Sequence, residues 1–214
     1  NYGRRYGEHF SKQSKQDRQY DRFHSWNYSD KYDEVMAIYH QQIYAIDVAV
    51  GMIREALQKS GIDKNTVIIY TSDNGFFCGS HGYGSKVLPY EESSRVPLII
   101  YDPRINKGYK INSPTEFVDL FPTLSDLANI GIPKKLDGVS LKAQIKGELN
   151  TSKTYAVSQY PRKNKMGYSF RTKEYRYTVW INKKKSTVPI FKEDIHAEEL
   201  YDYKNDPLET ENKT

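Results

Sequence analysis

Cysteine is almost missing from this chain. Cys78 is the only one among 214 residues, so no internal disulfide framework can form. Long apolar runs are missing too. No stretch approaches the ~20 apolar residues that span a bilayer, and the opening NYGRRYGEHF lacks the apolar segment of a secretory signal. No internal repeat and no low-complexity tract is visible. Neither sign of charge dominates: 32 Lys and Arg stand against 27 Asp and Glu, a net +5. That is far from a nucleic-acid-binding extreme. A solvated lysine-rich surface accounts for it, and it would also suit an anionic substrate.

What is present centres on residues 66–101. Thr66–Thr71 is a short apolar run rich in β-branched residues, the pattern of a buried strand in a parallel-type sheet. It stops at Ser72-Asp73-Asn74-Gly75. Ligands of open α/β sheets bind just beyond the carboxyl ends of strands. Asp73 and Asn74 bring carboxylate and amide oxygens to that place, and such oxygens suit a hard cation such as Ca²⁺ or Mg²⁺. The same tripeptide is also ordinary turn chemistry. A glycine-rich loop with His81 and Lys86 follows, and Val96–Tyr101 returns to the sheet.

Around this stretch the chain reads as α/β. Residues 1–28 keep no period, and His9 and His24 are expected at the surface. Ser29 is placed to cap a long amphipathic helix that Gly61 closes. Glu116–Ile130 reads as one or two short helices, with Pro122 tolerated only in a first turn. From about residue 150 the texture becomes short, alternating and aromatic, which predicts a small antiparallel sheet. The expected division is residues 1–149, an α/β part, and 150–214, an antiparallel subdomain. Two parallel-type strands cannot cover their own edges and faces. The first part is therefore expected to be the later portion of a larger sheet.

Taken in order, Ser72-Asp73-Asn74-Gly75, Gly79-x-His81-Gly82, Lys86 and Tyr90-Glu91-Glu92-Ser93-x-Arg95-Val96-Pro97-Leu98 resemble the sulfatase family of the alkaline-phosphatase superfamily. The closing Glu199-Leu200-Tyr201-Asp202-x-x-x-Asp206-Pro207-x-Glu209 is similar to the end of sulfatases. Ser158-Gln159-Tyr160-Pro161-Arg162 and the segments Met166–Thr172 and Tyr175–Trp180 resemble iduronate-2-sulfatases in particular. Those enzymes usually carry Asp-His-Gly where this chain has Asp73-Asn74-Gly75, and Ser80 and Ser85 stand where Glu and Asp are common.

The resemblance implies the C-terminal part of a sulfatase fold and the hydrolysis of sulfate esters, on a sulfated sugar or glycosaminoglycan. In that family a Cys or Ser within Cys/Ser-x-Pro-x-Arg becomes formylglycine, whose hydrate attacks sulfur and displaces the alcohol while Ca²⁺ holds nucleophile and sulfate. Asp73 and Asn74 would be two cation ligands. Lys86 would bind a sulfate oxygen, and His81 would either act near the substrate or order its loop. Family members usually work outside the cytoplasm. The implied partner is a sulfated carbohydrate, with no nucleic acid and no membrane span.

These 214 residues contain no Cys/Ser-x-Pro-x-Arg, and Cys78-Gly79-Ser80-His81 lacks its Pro and Arg. The nucleophile segment is therefore expected to lie outside them, and the piece alone is expected to be inactive. Two alternatives stand beside this reading. One is a phosphate- or phosphonate-ester hydrolase of the same superfamily. The other is a catalytically inactive module that binds sulfated glycans.

Overall fold

The computed structural model describes residues 30–148, 153–162, 164–182 and 192–214. His9, His24 and Ser29 lie outside them. The chain divides into two compact units, Asn1–Asn106 and Lys107–Thr214.

In the first unit, helix α1 spans Tyr32–Lys59, with Asp33 and Glu34 in its first turn and Lys59 in its last. That arrangement complements the helix dipole. Lys31 occupies the N-cap position. The helix ends in a Schellman motif: the Ile62 amide donates to Leu57 O at 3.2 Å and the Gly61 amide to Gln58 O at 3.0 Å. Gly61 has φ +68° there, a conformation that costs glycine little. None of the helix residues is buried. Its apolar stripe is exposed, with Ile38 at 56% and Ile53 at 57%.

Strands β1 (Ile68–Thr71) and β2 (Leu98–Tyr101) pair antiparallel, Ile68 opposite Tyr101 and Thr71 opposite Leu98. The two strands therefore do not run parallel to one another, as the sequence pattern suggested. A continuous β-branched run reports burial, not direction. A parallel return would need a crossover, usually a helix, whereas residues 72–97 hold only the 3-10 turn Ser80–Gly82 and helix α2 (Glu91–Ser94). After β2, buried Asp102 turns the chain by accepting from the Arg104 amide at 3.0 Å and from its guanidinium at 2.8 and 2.7 Å.

The second unit begins earlier than the change of texture near residue 150. A 3-10 turn (Phe117–Asp119) leads into α3 (Leu120–Leu127), with Pro122 in its first turn, and α4 follows at Lys142–Ile145. This helical segment is tied to the sheet of the same unit. Glu116 accepts from the Val157 amide at 2.7 Å. Lys153 bridges Glu116 and the fully buried Asp119 at 2.6 and 2.7 Å. Gly138 packs so closely that a β-carbon would lie 1.9 Å from Val118 O. These ties hold residues from about 116 onward in the second unit.

The sheet is an antiparallel meander of eight-residue strands, β3 (Tyr155–Arg162), β4 (Lys165–Thr172), β5 (Tyr175–Asn182) and β6 (Ile195–Asp202), in that spatial order. This is the antiparallel C-terminal sheet that the alternation predicts. Gly167 faces Trp180 across the ladder, and the indole covers the space a side chain would take. The centre of the sheet is polar as well as apolar. Beside buried Ile181 and Tyr201 lies Arg176, 2% exposed. Its Nε donates to Glu209 at 2.6 Å and to the Tyr203 hydroxyl at 2.9 Å, and its Nη1 donates to Ser169 at 3.2 Å. The closing Asp206-Pro207-x-Glu209 thus delivers a buried counter-ion to the sheet. Asp206 holds that turn by accepting from the Thr210 and Glu211 amides at 2.7 and 2.8 Å.

Candidate active site

All four candidate side chains belong to the first unit. Asp73 and Asn74 follow β1 directly, at its carboxyl end. The turn is wired locally: Ser72 Oγ donates to Asn74 O at 2.8 Å, and the Asn74 amide donates to Asp73 Oδ1 at 2.9 Å. Asn74 Nδ2 donates to Gly75 O at 2.9 Å. That bond occupies the amide nitrogen and leaves the side-chain oxygen as the group's acceptor. Asp73 is exposed. The turn therefore presents two hard oxygens, a donor set that fits Ca²⁺ or Mg²⁺ as part of a shell of six to eight ligands.

Residues 77–90 form a tight knot behind the turn. The Phe77 amide donates to Ser85 O at 2.8 Å and the Gly79 amide to Tyr83 O at 2.9 Å. Phe77, His81, Tyr83 and Tyr90 make an aromatic cluster, with the His81 ring stacked on Tyr90 at 4.5 Å. The knot bends through several left-handed residues: Cys78 at φ +50°, His81 at +56°, Ser85 at +70° and Val87 at +81°. For a β-branched residue such as Val87 this is a genuine outlier, and strain of this kind gathers at functional sites. Lys86, half-buried, sits between two of these residues.

Helix α2 clamps both parts. The Gly75 amide donates to Ser93 O at 2.9 Å, and the Val87 amide donates to Ser93 Oγ at 3.0 Å. His81 is 2% exposed, and its Nε2 lies 3.2 Å from Glu92 Oε2. That contact joins the loop to α2. Burial raises the Glu92 carboxyl, but the hydrogen bond and charge of His81 outweigh it, and the group titrates below the usual carboxylate range. Burial pushes the Cys78 thiol up to about 11. A thiol held protonated is a poor nucleophile, in keeping with a packed loop residue.

Glu92 and Ser93 belong to the Tyr90–Leu98 motif, but nothing in their spacing announces what they hold. The available signal was polar residues between apolar runs, and one that becomes buried there, as Ser93 does, must find partners. His196 is exposed on β6 in the second unit, and His40 and Asp47 are exposed on α1.

Two family models match this chain: "Sulfatase" over residues 1–130 and "N-sulphoglucosamine sulphohydrolase, C-terminal" over residues 79–214. The chain is 35% identical to an N-acetylglucosamine-6-O-sulfatase of Bacteroides thetaiotaomicron, over 85% of its own length and 32% of the relative's. It is 29% identical to the mouse iduronate 2-sulfatase, over 81% of its own length and 43% of the relative's. Among solved structures, it resembles one in complex with its substrate D-glucosamine-2-N,6-O-disulfate, at TM-score 0.65, 32% identity, 79% of this chain and 34% of that one. It also resembles the phosphonate monoester hydrolase of Agrobacterium radiobacter, at TM-score 0.71, 25% identity, 83% of this chain and 36% of that one. The chain thus spans about a third of the first relative's length. With the turn, the loop lysine and the closing motif all in place, and with the family model covering more than half of its residues, the chain belongs to the sulfatase family.

Proposed function

We propose that this chain carries part of the active site of a hydrolase that cleaves sulfate esters on a sulfated sugar. One observation supports this most directly. The oxygen-bearing Asp73-Asn74 turn and the Lys86 loop are both hydrogen-bonded to the same buried residue of α2. Hard oxygens and an ammonium held on one frame suit an anionic group that gains charge on its oxygens as the ester bond breaks.

In this reading Asp73 and Asn74 contribute two cation ligands, and the cation supplies Lewis-acid polarisation of a sulfate oxygen. Lys86 binds a second sulfate oxygen and stabilises the charge developing there or on the leaving oxygen. His81, paired with Glu92, keeps the loop in shape. The formylglycine nucleophile and the remaining ligands are assigned to polypeptide outside these 214 residues, because no Cys/Ser-x-Pro-x-Arg occurs within them. An extracytoplasmic location is in keeping with the family. Among the described residues no helix is long and apolar enough to cross a membrane.

The substrate class is a sulfated amino sugar or uronic acid of the glycosaminoglycan type, in line with the N-acetylglucosamine-6-O-sulfatase and iduronate 2-sulfatase relatives. The test is turnover by the full protein on 6-O-sulfated N-acetylglucosamine and 2-O-sulfated uronate substrates, with Lys86→Ala and Asp73→Ala as controls. Each substitution should lower kcat/KM by about 100-fold or more. Turnover that survives both would sink the reading.

A second reading is favoured by the fold likeness to the phosphonate monoester hydrolase. Sulfate and phosphonate esters make similar electrostatic demands. A phenyl phosphonate monoester cleaved faster than the matched sulfate ester would move the assignment there.

A further inference from the structure

Ser93 is buried, 4% exposed, and bonded to both halves of the candidate site. Its carbonyl oxygen accepts from the Gly75 amide at 2.9 Å, and its hydroxyl accepts from the Val87 amide at 3.0 Å. Gly75 follows Asn74 directly, and Val87 follows Lys86 directly. One residue therefore anchors the backbone immediately after the oxygen donors and immediately after the ammonium.

The two anchors differ in what they must hold. The turn at Asp73-Asn74 is also kept by its own bonds through Ser72 and the Asn74 side chain. Lys86 is flanked by Ser85 at φ +70° and Val87 at φ +81°. A valine left to itself leaves that region for the extended one. The Ser93 hydroxyl is thus a tether on a backbone that would otherwise relax and carry the lysine with it.

We propose that Ser93 is the positioning residue of this site, setting where the Lys86 ammonium stands relative to the Asp73-Asn74 turn. The inference rests on the sulfate-ester reading above. Ser93 acts through Lys86 and does not touch substrate.

The test uses the full protein, its Ser93→Ala and Ser93→Thr variants, and two probes, sodium sulfate and calcium chloride. Ser93→Ala keeps the carbonyl bond to Gly75 and deletes the hydroxyl bond to Val87. Losing one buried acceptor should speed exchange of the Val87 amide about tenfold and weaken sulfate binding about tenfold. Gly75 exchange should not change, and calcium affinity should stay within about twofold. Ser93→Thr, which keeps the hydroxyl, should restore both losses.

Wild-type sulfate affinity in Ser93→Ala overturns the proposal. So does a parallel loss of sulfate affinity, calcium affinity and Gly75 protection, which would mark Ser93 as a general support of α2. A threonine variant that fails to restore sulfate binding overturns it as well. A wild-type protein that binds neither sulfate nor calcium instead defeats the sulfate-ester reading, and the positioning role falls with it.

Discussion

The backbone carbonyl of Glu92 lies 2.0 Å from where a β-carbon on Gly75 would stand. No side chain fits between the Asp73-Asn74 turn and α2. Gly75→Ala must push the two apart. The expected cost is ~1–3 kcal/mol, the usual range for overpacking, read by urea denaturation. On the proposed reading in which Asp73 and Asn74 hold a cation, the more telling outcome is a weakened calcium affinity, because the displaced element is the one that carries them.

The Arg176–Glu209 pair predicts an asymmetric pattern. Glu209→Gln or Arg176→Met leaves one charge buried alone, and each should destabilise the protein by ~3–5 kcal/mol. Replacing both with apolar residues of similar volume should recover much of that loss. A double variant no better than the singles in urea titrations would count against this account.

Glu92 gives a prediction in pH. Its carboxyl is lowered from the ordinary 4.5 in the folded protein, against burial that raises it, by the hydrogen bond and charge of His81. A depressed carboxylate contributes stability that is present above its unfolded value. That stability is lost as pH falls through the folded value. Between pH 5 and 3 the wild-type protein should therefore lose stability more steeply than Glu92→Gln. Equal acid limbs would show that the pair contributes nothing.

Cys78, raised from 9.0 to about 11 by burial, should alkylate slowly. The thiolate fraction at pH 8 is lower by ~100-fold than that of an unperturbed thiol, and the rate follows the thiolate. Timed iodoacetamide labelling under native and denaturing conditions measures it. Rapid native labelling would mean that the knot of residues 77–90 opens readily.

Much of this organisation was legible in the sequence where the rule is local. Gly61 ends α1 because a left-handed residue is needed there, Pro122 falls in a first turn, and alternation after residue 150 marks strands. The Asp73-Asn74 turn stood out because polar oxygens interrupt an apolar strand. Direction was not legible: the apolar run at 68–71 says that the strand is covered, not which way its neighbour runs. Nor was the role of buried polar residues. Ser93 and Arg176 look like surface residues by type, and only their partners, 6 and 33 positions away in the chain, account for their burial; half-buried Glu92 likewise meets His81, 11 positions away. The boundary near residue 106 was hidden for the same reason, since the ion pairs of Lys153 with Glu116 and Asp119 join segments of unlike texture.

Both hydrogen-bonding borders of the C-terminal meander are engaged by its own unit. On β3 the Val157 amide is taken by Glu116. Along β6 the tail lies alongside, with Lys213 N donating to Leu200 O at 2.9 Å and Asn212 accepting from the Leu200 amide at 2.8 Å. Open strand borders invite pairing with other chains. Residues 212–214 therefore deny β6 a template for self-association, and replacing them should raise association through β6, read as a larger species by size-exclusion chromatography.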